Sequence, residues 1–373
     1  MKPIYLDNAS TTPLDERVSK AIEMAPFGNP GSLHSVGQDA SRAVFRARME
    51  IAEKINTSYK NIIFTSSATE ANNLVLFGTT ANNKGNVLIS AVEHESIEVP
   101  AANLGRQVLV VPVNKSGVID LVKFKTYINP QTTLVSVMYA NNEIGSIQPI
   151  EKIAKIVKEY KEHYKQIFPL FHVDAAQAFQ FLDCNVDRLG VDLMTLSAHK
   201  IYGPKGVGAL YVRDLELITP GIVGGGQEQE LRSGTENVPG IVGFAKAVSL
   251  INEKDKKKIK DLRDYLLKEL KDIFPTLKVN GGLKDRLVNN LNIYLPGYKA
   301  EDILIYLDRN MVSVSTGSAC SARSLEPSKV ILNLGYNQER ARNSIRITLG
   351  RQNTTSEINK VISIFKKLKN QLK

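Results

Sequence analysis

Seven short apolar runs recur through the first 250 residues, and most are separated by stretches of helical spacing. They are Ile62–Thr65, Val87–Ser90, Val108–Val111, Leu134–Val137, Leu170–Asp174, Leu193–Leu196 and Ala209–Val212. Runs of four or five residues are too short for buried helices and read as strands covered on both faces. The clearest intervening helix is Ile150–Tyr164, which places Ile150, Ile153, Ala154, Ile156 and Val157 on one face. Strand–helix–strand alternation of this kind can close only as an α/β fold, with a mostly parallel seven-stranded sheet under helices.

Beyond Pro239 the pattern changes. One long helical stretch is predicted to about Ile273, then a strand near Val288–Tyr294, a helix near Ala300–Asn310, a strand near Ser344–Leu349 and a terminal helix from Thr355. Thr354 and Glu357 stand at capping-box spacing at its start. Charge shifts at the same place: of 48 Lys and Arg in the chain, residues 251–373 hold 24, against 13 of its 38 Asp and Glu. We expect a large domain over residues 15–255 and a smaller α+β domain made of residues 1–14 and 256–373. Mixed-sign segments such as Lys254–Asp261 suit a solvated helix face. No basic stretch carries interleaved aromatics, so direct nucleic-acid binding is not expected.

Two cysteines, Cys184 and Cys320, make neither a disulfide framework nor a Cys-rich zinc site, and no metal site is expected. No apolar run approaches a membrane span, and Met1–Asn8 lacks the apolar core of a secretory signal. A cytoplasmic protein without membrane association is the expectation.

The chemistry concentrates where apolar runs end. Neither Gly-x-Gly-x-x-Gly nor a P-loop is present, so a cofactor must be held another way. Asp192–Leu196 runs into Ser197-Ala198-His199-Lys200, putting a lysine at the carboxyl edge of the sheet, where ligands of open α/β folds bind. A partly desolvated lysine there can form a Schiff base. One strand–helix–strand step upstream, Phe171-His172-Val173-Asp174 ends in a carboxylate able to reach the same edge. A lysine and a carboxylate so paired meet the needs of pyridoxal phosphate, whose pyridine nitrogen must stay protonated. Ser66-Ser67-Ala68-Thr69 opens a helix and suits either a phosphate or an ordinary capping box. His94 could stack on an aromatic ring, and Asn142 could offer an amide to a phenolic oxygen.

These segments together resemble the cysteine desulfurases of the class V, fold-type I aminotransferase superfamily. The resemblance runs from Tyr5-Leu6-Asp7-Asn8-Ala9-Ser10-Thr11-Thr12 to Ser344-Ile345-Arg346-Ile347-Thr348-Leu349-Gly350-Arg351. Between them lie Thr69-Glu70-Ala71-Asn72-Asn73, Glu93-His94, Asn141-Asn142-Glu143-Ile144-Gly145, His172-Val173-Asp174-Ala175-Ala176-Gln177 and Arg232-Ser233-Gly234-Thr235. It implies a pyridoxal 5'-phosphate-dependent transferase of fold type I. Lys200 would be the Schiff-base lysine, Asp174 the ring-nitrogen partner and His94 the stacking group. Gln177 and Asn142 would flank the phenolic oxygen. Ala68, Thr69, Ser197 and His199 would hold the phosphate, with Thr235 reaching it from the second subunit of a homodimer. Asn8, Ala9, Thr11, Asn142 and Arg346 would face the substrate, Arg346 as a carboxylate fork.

The superfamily also holds transaminases and lyases. Ser315-Thr316-Gly317-Ser318-Ala319-Cys320-Ser321-Ala322 resembles the catalytic-cysteine loop of the group I, NifS/IscS-like branch. The resemblance therefore implies that L-cysteine is converted to L-alanine, with Cys320 carrying the sulfur as a persulfide to an iron–sulfur scaffold or a tRNA-thiolation enzyme. Another class V enzyme, an aminotransferase or selenocysteine lyase, is the alternative. One departure stands out: scaffold-binding members have an arginine cluster before the Gly-Gly-Gly segment, whereas Tyr211–Pro220 carries only Arg213 beside Asp214 and Glu216. Cys184 is expected to be a structural buried cysteine.

Overall fold

The computed structural model describes residues 3–317 and 326–371. The strands in chain order are β1 (Ile4–Tyr5), β2 (Ile62–Thr65), β3 (Asn86–Ser90), β4 (Val108–Val111), β5 (Thr132–Met138), β6 (Leu170–Asp174), β7 (Leu193–Ser197), β8 (Gly208–Val212), β9 (Lys278–Val279), β10 (Asn290–Tyr294), β11 (Val312–Ser313), β12 (Ser315–Thr316) and β13 (Ser344–Thr348). All seven apolar runs of the first 250 residues form one sheet, ordered β2-β8-β7-β6-β5-β3-β4.

Direction within this sheet decides where chemistry can occur. β4, β3, β5, β6 and β7 pair in parallel, while β8 runs antiparallel to both β7 and β2. Only β8 is therefore reversed, and the carboxyl ends of β2, β3, β5, β6 and β7 open on one edge. Nearly every residue in these strands is buried, which explains why they read as continuous apolar runs rather than alternating ones. The outer strand β2 is closed by side chains. The Phe64 N–H donates to Glu228 Oε2 at 2.7 Å, and the Arg48 guanidinium bridges the Ile62 carbonyl and the Glu228 carboxylate. These contacts satisfy backbone groups that an open edge would leave for another chain.

The helix Ile150–Tyr164 buries Ile150, Ile153, Ala154 and Val157, with Ile156 only partly covered. The long helix expected beyond Pro239 forms as two, Val238–Ser249 and Glu253–Ile273. The break has a local cause: Asn252 turns its side chain onto the Asp255 N–H at 2.9 Å and starts a new helix. The first of the pair is apolar and packs on the helices Glu16–Glu23 and Ser35–Lys54. The second buries the stripe Ile259, Leu262, Leu266, Leu267, Leu270 and Ile273 together with Arg263, and most of its other charges face water.

A second sheet, β12-β13-β10-β9, is antiparallel throughout. The helix Thr355–Gln371 begins with the reciprocal capping box read from sequence: the Glu357 N–H donates to Thr354 Oγ1 and the Thr354 N–H to Glu357 Oε2. The N-terminal strand β1 lies parallel to β11, and Asp7 bridges to Thr348 of β13. Residues from both chain ends are thereby brought beside the carboxyl edge of the large sheet.

Candidate active site

A cavity of about 230 Å³ opens at that edge. Nine of the ten residues expected to hold the cofactor line it: Ala68, Thr69, His94, Asn142, Asp174, Gln177, Ser197, His199 and Lys200. The tenth, Thr235, is exposed and does not reach it within one chain. Ser10, Ser67, Ser96, Met138 and Ala176 complete the lining, of which Ser96 and Met138 lie outside the motifs read from sequence.

Each group is set by a strand end. Asp174 closes β6; its Oδ1 accepts from the Ala176 N–H at 2.9 Å and its Oδ2 from Asn72 Nδ2 at 2.9 Å. It therefore caps a turn and faces the cavity at once. Lys200 lies in a short 3-10 turn after β7, where its Nζ donates to the carbonyls of Ala9 and Ser10, each at 2.7 Å. Gln177 Nε2 donates to the same Ala9 carbonyl at 2.9 Å.

After β2, Ser67 caps the helix Ala68–Thr80 by accepting from the Glu70 N–H at 3.1 Å. This leaves the Ala68 and Thr69 N–H groups, at the positive helix end, for an anion. Gly208 of β8 lies between Thr65 and Ser197 in register. A Cβ there would come within 2.7 Å of the Ser67 carbonyl carbon and 3.0 Å of the Ala68 nitrogen, so only glycine lets the three elements meet.

His94 follows β3 and caps the helix Glu95–Ala102, with Nδ1 accepting from the Ser96 N–H at 3.0 Å. Burial lowers its basicity; Asp174 opposes this and Lys200 adds to it, so the ring is neutral at pH 7. Burial likewise lowers His199 to about 4, and its Nδ1 contacts Thr11 Oγ1 at 3.1 Å. Glu93, beside His94, is a buried carboxyl pushed up to about 8, chiefly by burial and further by the charge of Asp174. Its Oε1 accepts from Ser90 and, at 2.8 Å, from the Met138 N–H.

The substrate set separates. Asn142 lines the cavity, but Asn8, Ala9, Thr11 and Arg346 stand behind it. Asn8 is buried and spent on the Thr348 carbonyl (2.8 Å) and Gln352 (3.0 Å), so it anchors the N-terminal segment. Arg346, only 1% exposed, gives Nη2 to Asp7 Oδ1 at 2.8 Å and Nη1 to the Asn142 carbonyl at 3.1 Å, while its Nε is buried without a partner. Cys184 is buried and its thiol is pushed up to about 12 by burial, so it is no nucleophile near neutral pH. Cys320 lies outside the described residues.

The donor set fits pyridoxal phosphate. Ser197 Oγ is buried on the cavity wall with no hydrogen-bond partner, an arrangement that costs about 1–3 kcal/mol unless a ligand oxygen arrives. An anion site at a helix end, a carboxylate and a lysine amine share one wall system with a neutral imidazole, as an aromatic phosphate aldehyde requires.

Residues 4–361 match the family model described as aminotransferase class-V. The chain belongs to this family, whose enzymes work with pyridoxal phosphate. It is 41% identical to the cysteine desulfurase IscS of Dictyoglomus turgidum, over 100% of this chain and 96% of the relative. Among solved structures, a NifS-like protein superposes with a TM-score of 0.90 at 33% identity, covering 98% of this chain and 99% of that one. SspA in complex with cysteine superposes with a TM-score of 0.81 at 31% identity, covering 94% and 100%.

Proposed function

We propose that the chain takes sulfur from free L-cysteine, releases L-alanine and keeps the sulfur on Cys320 as a persulfide for a protein acceptor. It is a pyridoxal-phosphate-dependent cysteine desulfurase. The observation that carries the site assignment is the meeting of nine expected groups, from five separate segments of the chain, at one cavity. Lys200 would hold the cofactor through its amine and Asp174 would face the pyridine nitrogen. The helix start at Ala68–Thr69, with Ser197 and His199, would receive the phosphate. His94 would lie against the ring, and Gln177 and Asn142 would flank its phenolic oxygen. Bound there, pyridoxal phosphate supplies an electron sink that stabilises negative charge at the substrate Cα.

The chain's own groups do the rest. Arg346, prepaid in orientation by Asp7, fixes the substrate carboxylate and so aims the Cα–H at Lys200, which removes and returns the proton. Neutral His94 is available to move a proton on the opposite side. Cys320 Sγ, as thiolate, attacks the substrate sulfur; the new S–S bond forms as the Cβ–S bond breaks. Its electron pair stays with carbon, which is protonated to alanine. No outside oxidant is needed, because the carbon gains the electron pair that the sulfur loses.

An exposed Thr235 is what a second subunit would need to complete the phosphate site, so the working unit is a homodimer in the cytoplasm. Residues 15–255 form its cofactor domain, and residues 1–14 with 256–373 form the smaller one. The acceptor is an iron–sulfur scaffold or a tRNA-thiolation enzyme, docking without the arginine cluster of scaffold-binding relatives.

The test is alanine and persulfide formation from L-cysteine by wild type and Cys320→Ala. Loss of both in the variant is expected. Undiminished alanine release would mean a lyase or transaminase in which Cys320 takes no part.

A further inference from the structure

We propose that Asn72 is a positioning residue that couples the carboxylate of Asp174 to the imidazole of His94 through Ser96. The proposal rests on the reading of this cavity as a pyridoxal phosphate site, and it concerns two residues, Asn72 and Ser96, to which no role has been given above.

Asn72 lies in the first turns of the helix Ala68–Thr80 and is fully buried. Its Nδ2 donates one hydrogen to Asp174 Oδ2 at 2.9 Å and the other to Ser96 Oγ at 2.8 Å. Facing a carboxylate, the amide must present its NH2 side, so this orientation is fixed by charge. Its Oδ1 is then buried with no partner. A buried amide with an orphaned oxygen is a poor choice for packing alone; the position is explained by its two donations.

The path continues to the ring. Ser96 Oγ, having accepted from Asn72, lies 2.9 Å from His94 Nδ1, and the Ser96 N–H donates to the same nitrogen at 3.0 Å. A backbone N–H can only donate, so Nδ1 is an acceptor and the ring proton sits on Nε2. One amide thus orients the carboxylate that would face the ring nitrogen and, through a single hydroxyl, adds a second contact to the imidazole nitrogen whose acceptor role the Ser96 N–H sets.

Two measurements separate this from simple packing. The first uses apoenzyme labelled with 15N-histidine, where the chain's five histidines can be assigned by substitution. Wild-type His94 is expected as the Nε2–H tautomer, and Ser96→Ala, which keeps the backbone donor but loses the hydroxyl, is expected to keep that tautomer with its Nδ1 resonance shifted; an Nδ1–H ring in wild type, or an unshifted Nδ1 in the variant, would overturn the coupling. The second is pyridoxal phosphate affinity by equilibrium dialysis, with visible circular dichroism per bound cofactor. Asn72→Leu is expected to bind at least roughly tenfold more weakly and with reduced ellipticity, and Asn72→Leu/Ser96→Ala to be no worse than Asn72→Leu, because both act on one path. Wild-type affinity and ellipticity in Asn72→Leu, or fold-losses that multiply in the double variant, would refute it. Failure of wild type itself to bind the cofactor would instead remove the underlying reading. Ser96→Ala is a small truncation and carries the test alone if Asn72→Leu does not fold.

Discussion

Glu93 offers the most quantitative test of the environment next to the site. Its carboxyl is buried, at about 8 against an ordinary 4.5, chiefly because burial disfavours the charged form. Folded protein therefore holds a proton at Glu93 that the unfolded chain releases between pH 4.5 and 8. Through that window the unfolded state binds fewer protons, so stability falls as pH rises, at about 1.4 kcal/mol per pH unit. At pH 7 the accumulated penalty is roughly 3 kcal/mol. Glu93→Gln keeps an oxygen to accept from the Met138 N–H, but it cannot ionise. It also places an amide NH2 where Oε2 is already buried without a partner. That cost is independent of pH and cancels in the comparison. Urea denaturation of both holoenzymes, at fixed protein and cofactor concentration from pH 5 to 8.5, reads the effect. The stability difference should tilt toward the variant by about 3–4 kcal/mol across the window and level off above pH 8. Parallel curves with a constant offset would refute the reasoning and would mean that Glu93 is charged in the folded protein.

Two further outcomes follow from the site. Borohydride reduction of the cofactor-loaded protein, followed by peptide mapping, should label Lys200, and Lys200→Ala should lose both the label and turnover; a label on Lys205 would relocate the site. Arg346→Lys keeps the charge but loses the planar fork that Asp7 and Asn142 hold in place, so KM for L-cysteine should rise roughly 10–100-fold with a smaller change in kcat; an unchanged KM would remove Arg346 from carboxylate binding.

The strands of the large sheet were legible because all but the edge strand β4 are buried along their whole length, and an apolar run bounded by polar residues has few other uses. The polar residues that end β2, β3, β5, β6 and β7 were legible for the same reason: a charge where an apolar strand stops needs a purpose. What stayed hidden depends on three-dimensional contact. The two-residue strands β1, β9, β11 and β12 have too little pattern of their own and exist by pairing. Asn252 was invisible as a helix break because Leu250 and Ile251 continue the apolar pattern across it. Asn72 and Glu93 stood inside recognised motifs, yet their significance comes from burial beside Asp174, which no spacing reveals. The contacts of Asn8 were also hidden, since its side chain meets Thr348 and Gln352 from far along the chain.

That last contact joins residues 340 positions apart in the chain. Lys200 rests on the carbonyls of Ala9 and Ser10, and Ala9 is held in turn by Thr348. On the ribosome, the segment made among the first would have to wait for one made among the last before the wall behind Lys200 could close. The large sheet needs nothing beyond Val212 for its strands, so it can assemble while synthesis continues. Closure of that wall thus depends on a segment made late. A nascent chain arrested before residue 344 would own the lysine, the carboxylate and the helix end, yet lack the contact that seats its N-terminal segment over them.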